Sequence, residues 1–260
     1  MCKVEISIII ATYNAGKTLK YCLDSIIYQL NENCELIIID GKSNDETIDI
    51  IDNYKNYISY CISEKDRGIY DAWNKGVKES KGRWIAFIGA DDILIDGAIE
   101  KYLSTIKETK FIDQYDYICA HNEYIDYEGN ILKVIGEEPK WSRMRYYMAP
   151  AHVASLHNKH NLFDLVGDYD FENFHICADY ELLMRKKNHL KFLFLSCIIA
   201  KMKVGGMSFS TKAIVEAYKI RKKHHSIPYL INVIVFVKDW IGFKLFILRK
   251  IQLKKILKRI

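Results

Sequence analysis

The chain has little proline, and none of it is clustered: Pro139, Pro150 and Pro228 are the three prolines in 260 residues. That excludes a proline-rich linker, and no internal repeat or low-complexity tract is present either. The seven cysteines include no Cys-x-x-Cys pair and no Cys/His spacing of a zinc site. Cys61, Cys119 and Cys197 lie in apolar runs, so free buried thiols in a reducing, cytoplasmic setting are expected. No secretory leader is expected, because Met1-Cys2-Lys3 leads straight into a strand-like run. A strong charge excess is missing too. The net charge is +5, and up to residue 220 the chain is slightly acidic, so no nucleic-acid partner is expected. The positive charge gathers from Arg221 onward, where Asp239 is the sole acid.

What is present is half apolar and long enough for one large α/β domain, expected over residues 1–210, with a helical appendage over 211–260. The chain is organised around RWIAFIGADD, residues 83–92. Residues 84–88 are apolar and read as a strand buried on both faces, as in a parallel sheet. The run ends in Gly89-Ala90 and two carboxylates, Asp91 and Asp92. Ligands of open α/β sheets collect at the carboxyl ends of such strands. Adjacent acids there suit a hard cation holding a phosphate-bearing ligand. The plainer alternative is a turn with Asp92 as helix N-cap, because a periodic apolar run follows over 93–106.

Strand–helix units precede this stretch. Residues 5–11 (EISIIIA) read as a strand leading to a helix with Leu19, Cys22, Leu23, Ile26, Ile27 and Leu30 on one face. Residues 34–40 (CELIIID) read as a second strand ending in Asp40. Ser43 and Glu46 then form a capping-box pattern opening a helix over 44–57, and a third strand covers 58–63. This alternation argues a doubly wound parallel sheet. Residues 11–18 (ATYNAGKT) fit a relaxed phosphate-loop pattern, which would make the chain a nucleoside-triphosphate hydrolase. Tyr13 and Asn14 are bulky for a loop that wraps phosphates in backbone amides; the alternative is that they line the end of the first strand, where a base could rest. Residues 64–76 (EKDRGIYDAWNKG) form a polar loop running into a helix. A hairpin turning at 126–130, a short strand over 152–155, a helix from Tyr180 and a strand over 190–201 complete the expected core.

Taken in order, SIIIATYN, IIIDGKSND, ISEKDRGIYDAWNKG, GRWIAFIGADD and HICADYELLMR resemble the family 2 glycosyltransferases, especially bacterial members acting on surface polysaccharides. The resemblance covers residues 4–210. It implies a GT-A fold, a Rossmann-like mixed sheet flanked by helices. It also implies inverting transfer of a sugar from a nucleotide-sugar, a UDP-sugar in first place, with Mn2+ or Mg2+. By the same resemblance Thr12, Tyr13 and Asn14 border the nucleoside, and Asp40 reads a pyrimidine base. Asp66 and Arg67 lie near base and diphosphate, and Asp71, Asn74 and Lys75 pass the sugar and phosphates. Ala90 and Asp91 meet the donor. Asp91 matches the last acid of the family's DXD motif, the metal ligand, with Asp92 as helper. The chain departs from the pattern at Gly89, which stands where the first acid belongs. His152 is implied to face the active site, on phosphate or metal.

Asp179 is the expected catalytic base, with Glu181 as the near alternative. A carboxylate at a helix start can take the acceptor's proton, though it can also be a plain N-cap. Gly89 leaves open a catalytically inactive sugar-nucleotide-binding subunit. The acceptor is expected to be a saccharide or lipid-linked, at the inner face of the cell membrane. In the tail, residues 227–237 are too short to span a bilayer. Ile241, Leu245, Leu248, Ile251 and Ile256 alternate with cations. This reads as a helix lying on an anionic membrane surface; a helix packed on the domain or joining a homodimer is the alternative.

Overall fold

The computed structural model describes residues 4–126, 128–206 and 210–257, with side chains as far as residue 248. Its first half is four parallel strands. β1 (Ile6–Thr12), β2 (Cys34–Asp40), β3 (Tyr60–Ser63) and β4 (Trp84–Gly89) are joined by α1 (Leu19–Ile27), α2 (Thr47–Asn53) and α3 (Ile69–Glu79). They lie in the order β3-β2-β1-β4. Side-chain alternation explains the unbroken apolar runs. Ile8, Ile10, Ile38 and Ile88 face one core, while Ile9, Ile37, Ile39 and Phe87 face the other. Helix α3 lies so close to β1 that a Cβ on Gly76 would stand 2.5 Å from Ile9 Cγ2, which excludes any larger residue there. The register sets Thr12 beside Asp40 and Ala11 beside Gly89, so the polar strand ends share one edge.

The second half makes the sheet mixed. After β5 (Ile93–Leu94) and α4 (Ala98–Glu108), β6 (Tyr117–Ile125) and β7 (Ile131–Ile135) form the expected hairpin. The one-turn α5 (Trp141–Met144), β8 (Leu156–Asn158), α6 (Ala178–Lys186) and β9 (Phe192–Lys203) follow. β8 runs antiparallel to β4 and β6, β6 runs parallel to β9, and β5 closes the far edge against β9. Two local expectations are corrected. The strand placed over 152–155 lies later, at β8, and His152 stands in the loop before it, where Ala154 N donates to Phe87 O (2.8 Å). The capping box does not form: α2 starts at Thr47 without a side-chain cap, because the Ser43 hydroxyl is spent on Asp40.

α7 (Thr211–Lys223) and α8 (Tyr229–Leu257) end the chain. Contacts cross the boundary expected at residue 210. Ile220 of α7 enters the same core as α3 and α6, and α8 packs on α7 with Phe236 against Tyr218 at 5.2 Å. Among the described residues no helix is long and apolar enough to cross a membrane. The seam between α6 and α7 is ionic. Glu181, fully buried, accepts Arg185 Nε (2.8 Å) and Nη2 (2.6 Å), pairs with Lys223 (2.9 Å) and meets His224 Nε2 (2.8 Å). This corrects Glu181 as alternative base, since its carboxylate is consumed by structure.

Burial pushes the Glu181 carboxyl up, but the bonds from His224, Arg185 and Lys223 outweigh it and bring it from 4.5 to about 2. A carboxyl depressed on folding stabilises fully above its unfolded value and loses that contribution as pH falls through its folded one. Glu181→Gln is expected to lower the unfolding free energy at neutral pH by about 2 kcal/mol, the size of lost hydrogen bonds to a charged group. The mutant should also show a flatter stability profile between pH 4.5 and 2. Urea titrations across that range check both; an unchanged midpoint would mean that the hub adds nothing.

Candidate active site

The polar strand ends open into two adjoining hollows. The smaller, of about 270 Å³, is lined by Thr12, Tyr13, Asp66, Gly68 and Ile69. Tyr13 is 67 % exposed. Asp66 and Tyr13 lie over the bare backbone of Gly41, where a Cβ would come within 2.6 Å of Asp66 Oδ2 and 3.3 Å of Tyr13 Cδ2. Asp40 does not open into this hollow. It is fully buried and accepts Thr12 Oγ1 (2.9 Å), Ser43 N (2.9 Å), Ser43 Oγ (2.5 Å) and Ser63 Oγ (2.6 Å). Burial pushes its carboxyl up, but the bonds from Ser43, Ser63 and Thr12 outweigh it and hold it below the usual range. In place of the expected base-reading role, Asp40 clamps the ends of β1, β2 and β3, and Asp66 is the acid left on the hollow.

The loop after β1 forms no phosphate cradle. Asn14 N donates to Ser43 Oγ (2.8 Å), Ala15 N to Thr47 Oγ1 (2.7 Å) and Gly16 N to Asp45 Oδ2 (3.0 Å). A carboxylate and two hydroxyls take the amides that a phosphate would need, which removes the hydrolase reading. Asn14 itself is a turn residue, with φ +49° and its Oδ1 accepting Asn44 N (3.0 Å).

The residues at the start of α3 divide. Arg67 leans on the Phe171 ring (4.3 Å) and on Glu172 (3.3 Å). Asp71 accepts Arg67 N (2.9 Å), and Lys75 pairs with Glu64 (2.8 Å). Asn74 needs correction as a ligand residue. It is buried, its Nδ2 donates to Tyr169 O (2.9 Å), and its Oδ1 accepts Tyr169 N (3.0 Å). Both amide atoms fasten the loop around Tyr169 to α3.

The larger hollow, a cleft of about 520 Å³, shares Ile69 with the first and collects Asp91, Asp92, His152 and Asp179. Ala90 is partly exposed and Asp91 exposed, while Asp92 is buried with Oδ2 accepting Gly89 N (3.1 Å). A Cβ on Gly89 would fall 2.7 Å from Asp92 Oδ2 and 3.2 Å from Asp91 Oδ1. The residue that lacks the family's acid therefore leaves the room that these two carboxylates fill. Burial, then the charge of Asp91, push Asp92 up to about 8, against the backbone N–H groups of Gly89 and Lys203. A divalent cation offsets both penalties, so the donor set, two hard oxygen acids, fits Mg2+ or Mn2+. Among the described residues no three His, Cys, Asp or Glu groups converge as a metal cluster.

Among the described residues His152 does not join Asp91 and Asp92 in such a cluster. Its Nδ1 lies 3.7 Å from Asp179 Oδ2, and its ring packs on Trp73 (5.0 Å) and stacks with Phe87 (5.9 Å, 12°). Neither ring nitrogen has a hydrogen-bond partner among the described residues, and burial holds the ring below its usual pKa against the pull of Asp179. Cys177 holds the N-cap position of α6, so Asp179 is not the cap; it lies in the first turn. The Tyr70 hydroxyl stands 2.9 Å from Asp179 Oδ1 and 2.7 Å from Ile176 O. The loop before α6 is held from α7, where Glu216 accepts His175 N (3.0 Å), Ile176 N (2.9 Å) and Cys177 N (2.9 Å). Sequence reading did not single out Glu216, and no local pattern marks it.

The profile of the family described as Glycosyl transferase family 2 matches residues 7–189. The chain is 42% identical over 93 residues to the PGL/p-HBAD biosynthesis glycosyltransferase of Mycobacterium bovis, covering 35% of this chain and 36% of that one. It is 33% identical over 136 residues to the UDP-Glc:alpha-D-GlcNAc-diphosphoundecaprenol beta-1,3-glucosyltransferase WfaP of Escherichia coli, covering 52% of each. The match thus spans about a third to a half of these relatives' length. Residues 1–349 of S. aureus TarS in complex with UDP share the fold, with TM-score 0.67 over 90% of this chain and 70% of that one at 16% identity.

Gly89→Ala is expected to displace the Asp92 carboxylate and weaken Mn2+ binding about tenfold, the size of a modest overpacking penalty. Electron paramagnetic resonance of free Mn2+, without nucleotide, reads this directly. An unchanged affinity would remove Asp92 from the cation's surroundings.

Proposed function

The chain belongs to glycosyl transferase family 2, and from that premise we propose that it is a metal-dependent, inverting glycosyltransferase. It moves a sugar from a nucleoside-diphosphate sugar, a UDP-sugar in first place, to a saccharide or lipid-linked acceptor in bacterial cell-surface polysaccharide synthesis. The observation that carries the proposal is continuity: the hollow of Thr12, Tyr13 and Asp66 passes through Ile69 into the cleft of Asp91, Asp92 and Asp179. A nucleoside at one end and a reacting sugar at the other need that arrangement. Support also comes from WfaP, whose name carries a UDP-sugar donor and a diphosphate-linked lipid acceptor.

The acceptor oxygen attacks the anomeric carbon as the bond from that carbon to the diphosphate oxygen breaks. The electron pair leaves with the nucleoside diphosphate, and the acceptor's proton passes to Asp179. A single displacement on the face opposite the leaving group inverts the centre. Tyr70 holds one oxygen of Asp179, and the positive end of the α6 dipole lies at that carboxylate. Asp91 and Asp92 would hold the divalent cation, which offsets the charge growing on the leaving diphosphate. Tyr13 and Asp66 offer the base a ring face and an acceptor for a ring N–H.

Gly89 is the one feature that favours an inactive binding subunit, and turnover separates the two readings. With a panel of nucleotide-sugars and release of nucleoside diphosphate as the signal, Asp179→Asn is expected to bind donor normally and turn over at least about a hundredfold more slowly. Asp91→Asn is expected to lose Mn2+-dependent donor binding itself. Wild-type chain that binds donor and never releases nucleoside diphosphate would establish the binding subunit instead.

We also propose that α8 rests on an anionic lipid surface at the inner face of the membrane. The simple division into an apolar and a basic face, expected from sequence, is revised. Phe236 and Trp240 pack inward, while Leu230, Ile234, Val237, Ile241, Leu245 and Leu248 form an outer stripe, 47% to 74% exposed. Ile251 and Ile256 lie outside the residues whose side chains are described. Their stepping by threes and fours keeps the outer six on one side, with Lys238 and Lys244 beside them. Ile234→Glu with Ile241→Glu is expected to abolish sedimentation with anionic liposomes and leave the melting temperature unchanged. Loss of a concentration-dependent dimer in the same variant, without any effect on vesicles, would make the stripe a subunit interface.

A further inference from the structure

Arg221 of α7 is 1% exposed, yet it lines the cleft that holds Asp179. Its Nε donates to Asn232 Oδ1 (2.7 Å) and its Nη1 to Tyr146 O (2.8 Å), both neutral acceptors. Its Nη2 is buried and has no hydrogen-bond partner among the described residues. The ion pairs of α7 run through Lys223, to Asp170 and Glu181, and not through Arg221. A guanidinium taken out of water with neutral partners alone is costly, because the charge is unmatched and a donor is unspent. Elsewhere in this fold the same cost is met: Glu181, equally buried, is paired with Arg185 and Lys223 and hydrogen-bonded to His224. Asp239 of α8 also lines the cleft, but it is exposed and makes no ion pair with Arg221 among the described residues. Burial lowers the pKa of Arg221, and Tyr180, Asp239 and Cys177 oppose that through space.

We infer that Arg221 is an anion subsite of the cleft and that it receives a phosphate oxyanion carried by the acceptor, close to the hydroxyl that Asp179 deprotonates. A fork of N–H donors suits a phosphate better than any neutral sugar hydroxyl. Arg221 does not line the nucleoside hollow, and the donor's diphosphate already has Asp91 and Asp92 with their cation. A second anion site in the same cleft therefore belongs to the other substrate. The acceptor class that follows is a glycosyl phosphate or diphosphate. This inference rests on the transfer reaction proposed above.

Full-length protein is titrated with inorganic pyrophosphate by calorimetry, free of divalent cation, with and without UDP at a concentration first shown to saturate the cation-free protein. Pyrophosphate is expected to bind in both conditions. Asn232→Asp places a resident carboxylate on Arg221 while keeping the side-chain shape, giving up the Asn232 Nδ2 bond to Tyr218 O (3.1 Å), and is expected to weaken pyrophosphate at least about tenfold, the loss of one charge-assisted contact. Arg221→Gln should do the same, and the isosteric Asn232→Asp keeps the test valid should Arg221→Gln fail to fold. Asp239→Asn should bind pyrophosphate at least as tightly as wild type, and Asp91→Asn should keep it while losing UDP with Mn2+. The inference is overturned if wild type takes no pyrophosphate, if UDP displaces it, if Asn232→Asp binds it unchanged, or if Asp239→Asn loses it. A chain that holds pyrophosphate beside UDP but transfers no sugar would sink the transferase reading and leave the subsite standing.

Discussion

Three successive backbone N–H groups, of His175, Ile176 and Cys177, converge on one carboxylate, that of Glu216. A helix start leaves such donors without intrahelical partners, and α6 has no side-chain cap of its own. Glu216 fixes from α7 the N-cap residue Cys177 and the two residues before it, and it brings a negative charge to the positive end of the helix dipole. Asp179 lies in that same first turn, and Tyr70 reaches both its carboxylate and the Ile176 carbonyl. The place of Asp179, the proposed base, is thus set by a residue on another helix. One turn deeper, the Glu181 hub ties the same two helices together. The C-terminal helices are part of the cleft's construction, and Ala213, Ile214 and Ala217 of α7 form its wall.

The acids and bases of this fold sort by how completely they are satisfied. Asp40 and Asp92 both stand at the ends of core strands and both are buried. Asp40 receives hydrogen bonds from three neighbouring residues and is held ionised. Asp92 receives backbone N–H groups alone, sits beside Asp91, and is driven toward the neutral form. A saturated carboxylate is a strut. One that lacks donors next to a like charge is a place where positive charge is missing. Glu181 and Arg221 repeat the contrast with sign reversed. Glu181 is enclosed by cations, whereas Arg221 has two neutral acceptors and a spare amino group. Asp92 and Arg221, proposed above to meet a cation and an anion, are the cleft groups that the fold leaves short of partners among the described residues.

The parts legible in the sequence are those with a local cause. β1, β2 and β4 announce themselves because burial on both faces demands an unbroken apolar run. Asp91 and Asp179 are legible because a strand end and a helix start are marked in the chain within a few residues. What was misread depends on partners far away. Asn74 meets Tyr169 across 95 residues, Glu181 meets His224 across 43, and Asp40 meets Thr12 across 28. Nothing near Asn74 or Glu181 says that a distant backbone or cation will claim the side chain. Ser43 shows the same limit at short range: the capping-box pattern is intact, but a buried carboxylate three residues back competes for the hydroxyl and wins. His152 lines the cleft beside Asp179, and motif position alone does not tell a carboxylate neighbour from a metal.

α8 shows why one measure of amphipathicity misdescribes a helix with two jobs. A helix that packs on its own domain needs one apolar stripe, and α8 has it in Phe236 and Trp240, with Asn232 at its base. Its second stripe, Leu230 through Leu248, points away from that contact and stays exposed. Summed around the axis the two stripes cancel, so the helix looks uniformly apolar rather than one-sided. Uniform apolarity is the mark of a helix enclosed by neighbours, but among the described residues only one side is enclosed. An exposed apolar row along about five turns is more than scattered surface leucines, and such patches mark contact with another surface. The inner stripe carries Asn232, which holds Arg221. The helix that faces outward with one stripe therefore positions, with the other, the unpaired guanidinium of the cleft.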